Sequence, residues 1–258
     1  MPAEPRAVVL LVHGYAEHSG RYEHVGSWLA ARGLATYAYD HQGHGRSAGP
    51  RCHVRRFSDL LDDAEVAAER ARHAHPGLPL FVVGHSMGGL VTAALACERA
   101  PSVAAFVTSG AALATTEPPP RVLLWLLRGV RWVAPRLSLA SRLDPSGLSS
   151  DASVVQAYLD DPLVERRMTA SLAVEMFAAM RRTVGRGHRV SSPFFALHGA
   201  DDPICAPVGS AAFAAGVPAG RYLELPGMRH EIFNEPGREA VFEVMLEWLQ
   251  EILRGEQT

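Results

Sequence analysis

The sequence contains no lysine: all 25 of its Lys+Arg residues are arginine. Alanine is abundant as well, so this bias reads as genome composition rather than function. Cysteine is almost as scarce. Cys52, Cys97 and Cys205 form an odd, widely spaced set, which provides no disulfide framework and fits a reducing compartment. A dominant charge of one sign is missing too. The 25 arginines face 27 acidic residues, a net charge of −2. There is therefore no basic footprint for nucleic acid and no strong pull toward an anionic membrane. Long hydrophobic runs are also absent. The first, Ala7–Val12 (AVVLLV), ends in a polar turn and is too short for a secretory signal. Nothing approaches the ~20 apolar residues of a membrane span. These absences lead to the expectation of a soluble cytoplasmic protein.

What is present is ordinary globular material: 258 residues, 48% hydrophobic and 20% charged. A chain of this length can bury roughly three quarters of its unfolded surface, and α/β enzymes commonly reach it as one unit. Short apolar runs alternate with helical patterns. Strands are expected at Ala7–Val12, Leu34–Tyr39, Leu80–Val83, Val103–Val107, Phe194–Leu197 and Tyr222–Leu225. Tyr22–Arg32, Phe57–His75 and Arg238–Leu253 read as helices. Continuous rather than alternating apolar runs belong to strands buried on both faces, and strand–helix alternation implies an α/β fold with a mostly parallel sheet and helices on both faces. The rhythm breaks between Gly110 and Ser192, where no strand is expected. A junction at Thr116-Glu117-Pro118-Pro119-Pro120 opens this section. Helices are expected at Arg121–Ala134, Ala152–Asp160 and Met168–Val184. Residues 111–192 thus read as a helical cap, and residues 1–110 and 193–258 as the core.

Gly84-His85-Ser86-Met87-Gly88-Gly89 lies between the strand LFVV and the helix LVTAALACERA. A bare G-x-S-x-G occurs by chance in roughly one chain in ten of this length. Its strand-to-helix context gives it meaning. There a sharp turn lifts the serine Oγ to the top of the sheet, and small residues are needed on either side. The alternative, a phosphate-binding loop, fails because neither the dinucleotide nor the Walker pattern is met. Ser86 is the expected nucleophile of an α/β-hydrolase fold. A serine hydroxyl needs a base, and the base an orienting acid, in the chain order Ser, Asp, His. After the fifth strand comes His198-Gly199-Ala200-Asp201-Asp202-Pro203-Ile204, and after the sixth Pro226-Gly227-Met228-Arg229-His230. Both follow strand C-termini, where parallel sheets place their ligands. His230 is the expected base and Asp202 the acid, with Asp201 turned to solvent. The oxyanion of acyl transfer needs two amides aimed at it. Met87, after the nucleophile, and Tyr15, in the loop after the first strand, are the expected donors. His13 is expected to brace that loop.

The run HGYAEHSGRYEHVGSWLAARGLATYAYDHQGHGRSAG (His13–Gly49), with GHSMGG, SRLDPSG…YLDDPLVERRM, HGADDPICAP and RHEIFNEPGREAV, resembles the monoacylglycerol lipase and lysophospholipase family of the α/β-hydrolases, especially its bacterial members. The resemblance covers most of the chain from Arg6 onward. It implies cofactor-independent hydrolysis of glycerol monoesters of fatty acids, with Ser86, Asp202 and His230 as triad and Tyr15 and Met87 at the oxyanion hole. It also implies that Glu17 and Arg21 line the glycerol end. Members of the family usually carry an antiparallel strand pair before the first strand found here, so a sheet of about six strands is expected, or a start further upstream.

Other features have plainer readings. The apolar segment Val122–Leu127 with Val130, Trp132 and Val133 is expected to line the acyl entrance, to pack on the body, or to make transient membrane contact. Asp40–Ser47 (DHQGHGRS) is expected to be a structural turn, not a metal site. Cys205 is expected to pack. Three rival activities remain open: a short- or medium-chain carboxylesterase, a thioesterase, and a proline-type aminopeptidase. The peptidase would need cap carboxylates for a substrate ammonium, and Asp160, Asp161 and Glu165 read as solvent-facing. A non-catalytic binding protein on the same scaffold is disfavoured because every triad member is present. The expected partner is a small lipid or ester, with no nucleic acid.

Overall fold

The computed structural model describes residues 2, 4–99, 102–141 and 143–255. Ala100, at the end of the helix expected after Ser86, and Arg142, within SRLDPSG, lie outside the described residues. Strand β1 (Ala7–Val12) is followed by a 3₁₀ turn at Ser19–Tyr22, helix α1 (Glu23–Ala30), strand β2 (Leu34–Tyr39) and helix α2 (Ser58–Ala74). Next come β3 (Leu80–His85), α3 (Met87–Glu98) and β4 (Ala105–Ser109). The insertion holds α4 (Arg121–Val133), β5 (Ser138–Ala140), α5 (Ala152–Asp160), β6 (Arg167–Thr169) and α6 (Ala170–Thr183). Then β7 (Phe194–Gly199), α7 (Pro207–Gly216), β8 (Gly220–Leu225) and α8 (Arg238–Arg254) complete the order.

Six strands form one sheet in the order β2-β1-β3-β4-β7-β8, every neighbouring pair parallel. The continuous apolar runs have the expected cause. Along β1, Val8, Leu10 and Val12 enter one core and Ala7, Val9 and Leu11 the other. Phe106 and Phe194 face the first core, while Phe81 and Phe195 face the second. Helices α2, α3 and α7 cover the first face and α1 and α8 the second. Period-2 side-chain alternation with both faces apolar is what two covering layers require.

The insertion corrects one expectation. Residues 138–140 and 167–169 form a small antiparallel ribbon, with Ser138 opposite Thr169 and Leu139 opposite Met168. Three-residue strands, Ser-Leu-Ala and Arg-Met-Thr, are too short to show periodicity, so the sequence hides them. The ribbon also delays the following helix. Thr169, rather than Met168, ends the extended segment and caps α6, its Oγ1 accepting from Leu172 N at 3.2 Å. The same hydroxyl donates to Cys52 O at 2.8 Å, tying the insertion to the body. Helix α6 packs on α3 through Leu172, Ala179 and Met180.

Candidate active site

Ser86 sits between β3 and α3 with φ 54° and ψ −117°. That left-handed φ is strained for a residue with a Cβ, a strain of about 1–3 kcal/mol that its surroundings must hold. They do so through the backbone. Ser86 N donates to Ser109 O at 3.0 Å, and Ser86 O accepts from Leu90 N and Ala112 N, each at 3.0 Å. The side chain is thereby presented above the C-terminal ends of the strands.

His230, in the loop after β8, accepts from Ser86 Oγ at Nε2 over 2.9 Å and donates from Nδ1 to Asp202 Oδ2 over 2.7 Å. Asp202, in the loop after β7, also accepts from Ile204 N (2.8 Å) and Cys205 N (2.9 Å) at Oδ1. Asp201 is exposed, as its side chain diverges from that of its neighbour. Burial opposes charge on Asp202, yet His230, His198 and these hydrogen bonds outweigh it and hold the carboxyl well below the usual range. Burial likewise opposes charge on His230. The Asp202 carboxylate, with Glu231 and Glu17 nearby, overcomes that and raises its pKa above the ordinary 6.5.

The loop after β1 runs against the serine. A Cβ on Gly14 would stand 3.0 Å from Ser86 Cβ and 2.7 Å from Glu17 Oε1, so only glycine fits without a shift. Gly14 N is taken by Glu17 Oε1 at 2.6 Å, which leaves Tyr15 as the next amide. Met87 N begins α3, where first-turn amides have no partner inside the helix. His13 braces the loop. Its Nδ1 donates to Gly14 O (2.8 Å) and its Nε2 accepts from His41 N (2.9 Å). Burial pushes its pKa down, so it stays neutral.

Glu17 and Arg21 both line the cleft, with Tyr15, His85, Leu143, Leu148, Tyr158 and Glu231. Sequence reasoning left Glu231 without a role. Arg21 forms a two-pronged pair with it (2.6 and 2.8 Å) and bonds Glu17 Oε2 at 2.9 Å. Glu17 Oε1 also accepts from Tyr22 Oη at 2.6 Å. The guanidinium lies 5.0 Å from the Tyr158 ring centroid. The only hint in the sequence was Glu231's position beside His230. The cavity over Ser86 offers about 20 Å³ to water, room for roughly one molecule. Leu143, Leu148 and Tyr158, all from the insertion, are among its walls.

Two further expectations meet the structure differently. Asp160 is exposed, but Asp161 is half-buried and bonds His18 Nε2 at 2.8 Å. Glu165 N donates to Ala16 O at 2.9 Å. This part of the insertion therefore grips the loop that carries Tyr15 rather than facing solvent alone. The DHQGHGRS turn is organised by Asp40, which accepts from Ser19 N, Ser19 Oγ and Arg46 N. Buried His41 packs edge-on against His13 and Tyr39 at 4.5 and 4.9 Å. Burial and its histidine neighbours push its pKa well down. Among the described residues, no group of three or more His, Cys, Asp or Glu is arranged to hold a metal, and no helix is long and apolar enough to cross a membrane. All three cysteines are buried. Burial and the charge of Asp202 push the Cys205 thiol well up, so it does not compete as a nucleophile.

Comparison with known proteins identifies the family. The model of the family described as serine aminopeptidase, S33, matches residues 3–237. The monoacylglycerol lipase of Mycolicibacterium smegmatis is 36% identical over 250 residues, 95% of this chain and 89% of that protein. Human monoglyceride lipase is 34% identical over 78% of this chain and 67% of its own length. The crystal structure of Paleococcus ferrophilus monoacylglycerol lipase superposes with a TM-score of 0.89 at 32% identity, covering 97% of each chain. With that extent of sequence and structural match, the chain belongs to the monoacylglycerol lipase family of the α/β-hydrolases and is a serine ester hydrolase.

Proposed function

We propose that the protein hydrolyses monoacylglycerol-like lipids through an acyl-enzyme, with Ser86 as nucleophile, His230 as base and Asp202 as orienting acid. One observation carries this reading: the unbroken Ser86–His230–Asp202 chain at 2.9 and 2.7 Å, opening on a cleft that Leu143, Leu148 and Tyr158 help to line. His230 takes the Ser86 proton as Oγ attacks the ester carbon. The Tyr15 and Met87 amides receive the developing oxyanion. His230 then passes its proton to the leaving alcohol, and water repeats the sequence to free the fatty acid. Residues 111–192 act as the cap, which moves to admit an acyl chain. Glu17 and Arg21 meet the glycerol end.

The aminopeptidase alternative needs a free carboxylate for the substrate ammonium. Glu17 and Glu231 are the carboxylates of the cleft, and both are engaged by Arg21. That leaves no unpaired carboxylate in the cleft for an acyl group bearing an ammonium, and favours an uncharged fatty acyl chain. The test is a panel of p-nitrophenyl esters of rising chain length, 1- and 2-monoacylglycerols, an acyl thioester and a prolyl anilide. Medium or long monoacylglycerols should give the highest kcat/KM and the anilide none. Turnover of short activated esters alone would instead make this a general carboxylesterase, and preference for the thioester a thioesterase.

The cap also supplies a route to such substrates. On α4, Trp125 is 75% exposed and Trp132 89%, with Val122, Leu126 and Val133 exposed beside them. Arg121 and Arg128 stand exposed among them, whereas Arg131 is paired with Glu175 at 2.7 Å. An amphipathic helix of this kind rests its apolar face in a lipid interface, with arginines reaching the headgroups. Transient membrane contact through α4 follows. Flotation with vesicles should carry the protein upward, and Trp125→Ser with Trp132→Ser should weaken capture by about tenfold or more. Failure of the unaltered protein to float would remove this contact from the reading.

A further inference from the structure

Asp202 serves two histidines. Besides His230, it meets His198, the fifth residue of β7, whose Nε2 lies 3.0 Å from the same Oδ2. The His198 side chain is fully buried. Its protonation pattern follows from its partners. Nε2 faces two acceptors, Asp202 Oδ2 and Cys205 O, each at 3.0 Å, so the proton must sit there. Nδ1 is left to accept from Ser210 Oγ on α7 at 2.8 Å. The ring is thus clamped between a strand, a loop and a helix, with its one N–H aimed at the carboxylate.

We propose that His198 is a positioning residue for the hydrolytic reaction: its Nε2–H, bonded to the oxygen that also accepts from His230 Nδ1, fixes Asp202 and divides that oxygen's charge between two imidazoles. The inference rests on the triad reading given above. Four contacts hold the carboxylate: the amides of Ile204 and Cys205 on Oδ1, and the two rings on Oδ2. The two amides fix one oxygen but leave the carboxylate plane able to turn about it. His198 supplies a second anchor, at Oδ2. It also moderates His230. A donor sharing Oδ2 withdraws some of the charge that would stabilise a protonated His230, so removing it should make His230 more basic. The other ionisable groups facing this pair are His85 on β3, Glu17 and Arg21 after β1, Glu231 beside His230 and the Cys205 thiol. All of them remain in the variants below.

The experiment is the pH profile of kcat/KM for p-nitrophenyl butyrate in His198→Met, His198→Gln and Ser210→Ala, with Ser86→Ala beside them. Methionine fills the volume without the N–H. It should lower kcat/KM by about tenfold, the scale of one lost hydrogen bond to a charged group, and move the acid limb up by about half a pH unit or more. Glutamine, which can place an amide N–H where Nε2 stood, should return the limb toward its original position. Ser210→Ala releases Nδ1 and should move the limb the same way by less. It keeps the test decisive if His198→Met fails to fold. A limb that stays in place, or falls, in a folded His198→Met or Ser210→Ala protein overturns the proposal, because a loss of structure alone lowers the rate equally at every pH. If hydrolysis by the unaltered protein does not depend on Ser86, the triad reading fails and this one with it. If it does depend on Ser86 while the limb stays, the role of His198 alone is wrong.

Discussion

Ser86→Ala should leave a folded protein whose ester hydrolysis falls by about 10⁵–10⁶-fold, and Asp202→Asn should lose about 10⁴-fold. The first loss removes the nucleophile while keeping the amides of Tyr15 and Met87, so a small residual rate over water is expected. Stability should hardly change. Alanine retains the Cβ that already occupies φ 54°, and the backbone bonds to Ser109, Leu90 and Ala112 do not involve Oγ. Labelling by a fluorophosphonate should vanish with the hydroxyl. Asp202→Asn acts differently. The amide places either a donor or an uncharged acceptor against His230 Nδ1, 2.7 Å away. The imidazole then loses the charge that stabilises its protonated form or turns to the wrong tautomer. The pH dependence follows from the same pair. His230 must be neutral to accept the Ser86 proton, and its pKa is raised by Asp202. Activity should therefore fall with acidification through a midpoint above 6.5, the usual imidazole value, and Asp202→Asn should move the residual activity's midpoint down. Intact-mass labelling and kcat/KM across pH check both. A Ser86→Ala protein that still turns over ester at more than a hundredth of the original rate would refute the nucleophile assignment.

Legibility in the sequence tracked how local each constraint is. The Ser86 turn was readable because strand, small residues and helix all fall within a few positions. That His230 and Asp202 meet beside Ser86 was readable because both lie in loops that follow strand ends. The parallel sheet was readable because burial on both faces leaves unbroken apolar runs. The β5–β6 ribbon was not, since three residues per strand carry no period. Pairings across the chain were hidden for a different reason. Glu17 and Arg21 are four apart and attract notice as a local pair, whereas Arg21 meets Glu231 across 210 positions. Neither residue alone signals that contact. His18–Asp161, 143 positions apart, makes an expected surface carboxylate a tether between the insertion and the loop after β1. His198 carries no local signal, because its partners, Asp202 and Ser210, converge only once α7 folds back beside β7.

Gly88→Ala should destabilise the protein by about 3 kcal/mol or more, lowering Tm by roughly 6–12 °C. Helix propensity alone predicts the opposite, since alanine is favoured over glycine inside a helix by about 0.5–1 kcal/mol. Position decides which effect wins. A Cβ at Gly88 would stand 2.1 Å from Val12 O and 2.4 Å from His13 O. Both are backbone atoms, of β1 and the loop after it, so no side chain can swing away. Helix α3 would have to lift by more than 1 Å from a close-packed sheet, a shift such cores resist. The displacement also reaches the chemistry. The helix begins at Met87, and His13 leads into the Gly14-Tyr15 loop, so the two amides expected at the oxyanion would separate and kcat would fall with Tm. Gly129→Ala gives the internal control. That glycine lies exposed in α4 with nothing within 4 Å of a new Cβ, and there propensity should prevail, raising stability by about 0.5–1 kcal/mol. Thermal melts of the two variants beside the unaltered protein decide it. If Gly88→Ala melts with the original, close approach of α3 to β1 is not what demands a small residue after the nucleophile, and the φ of Ser86 itself becomes the constraint.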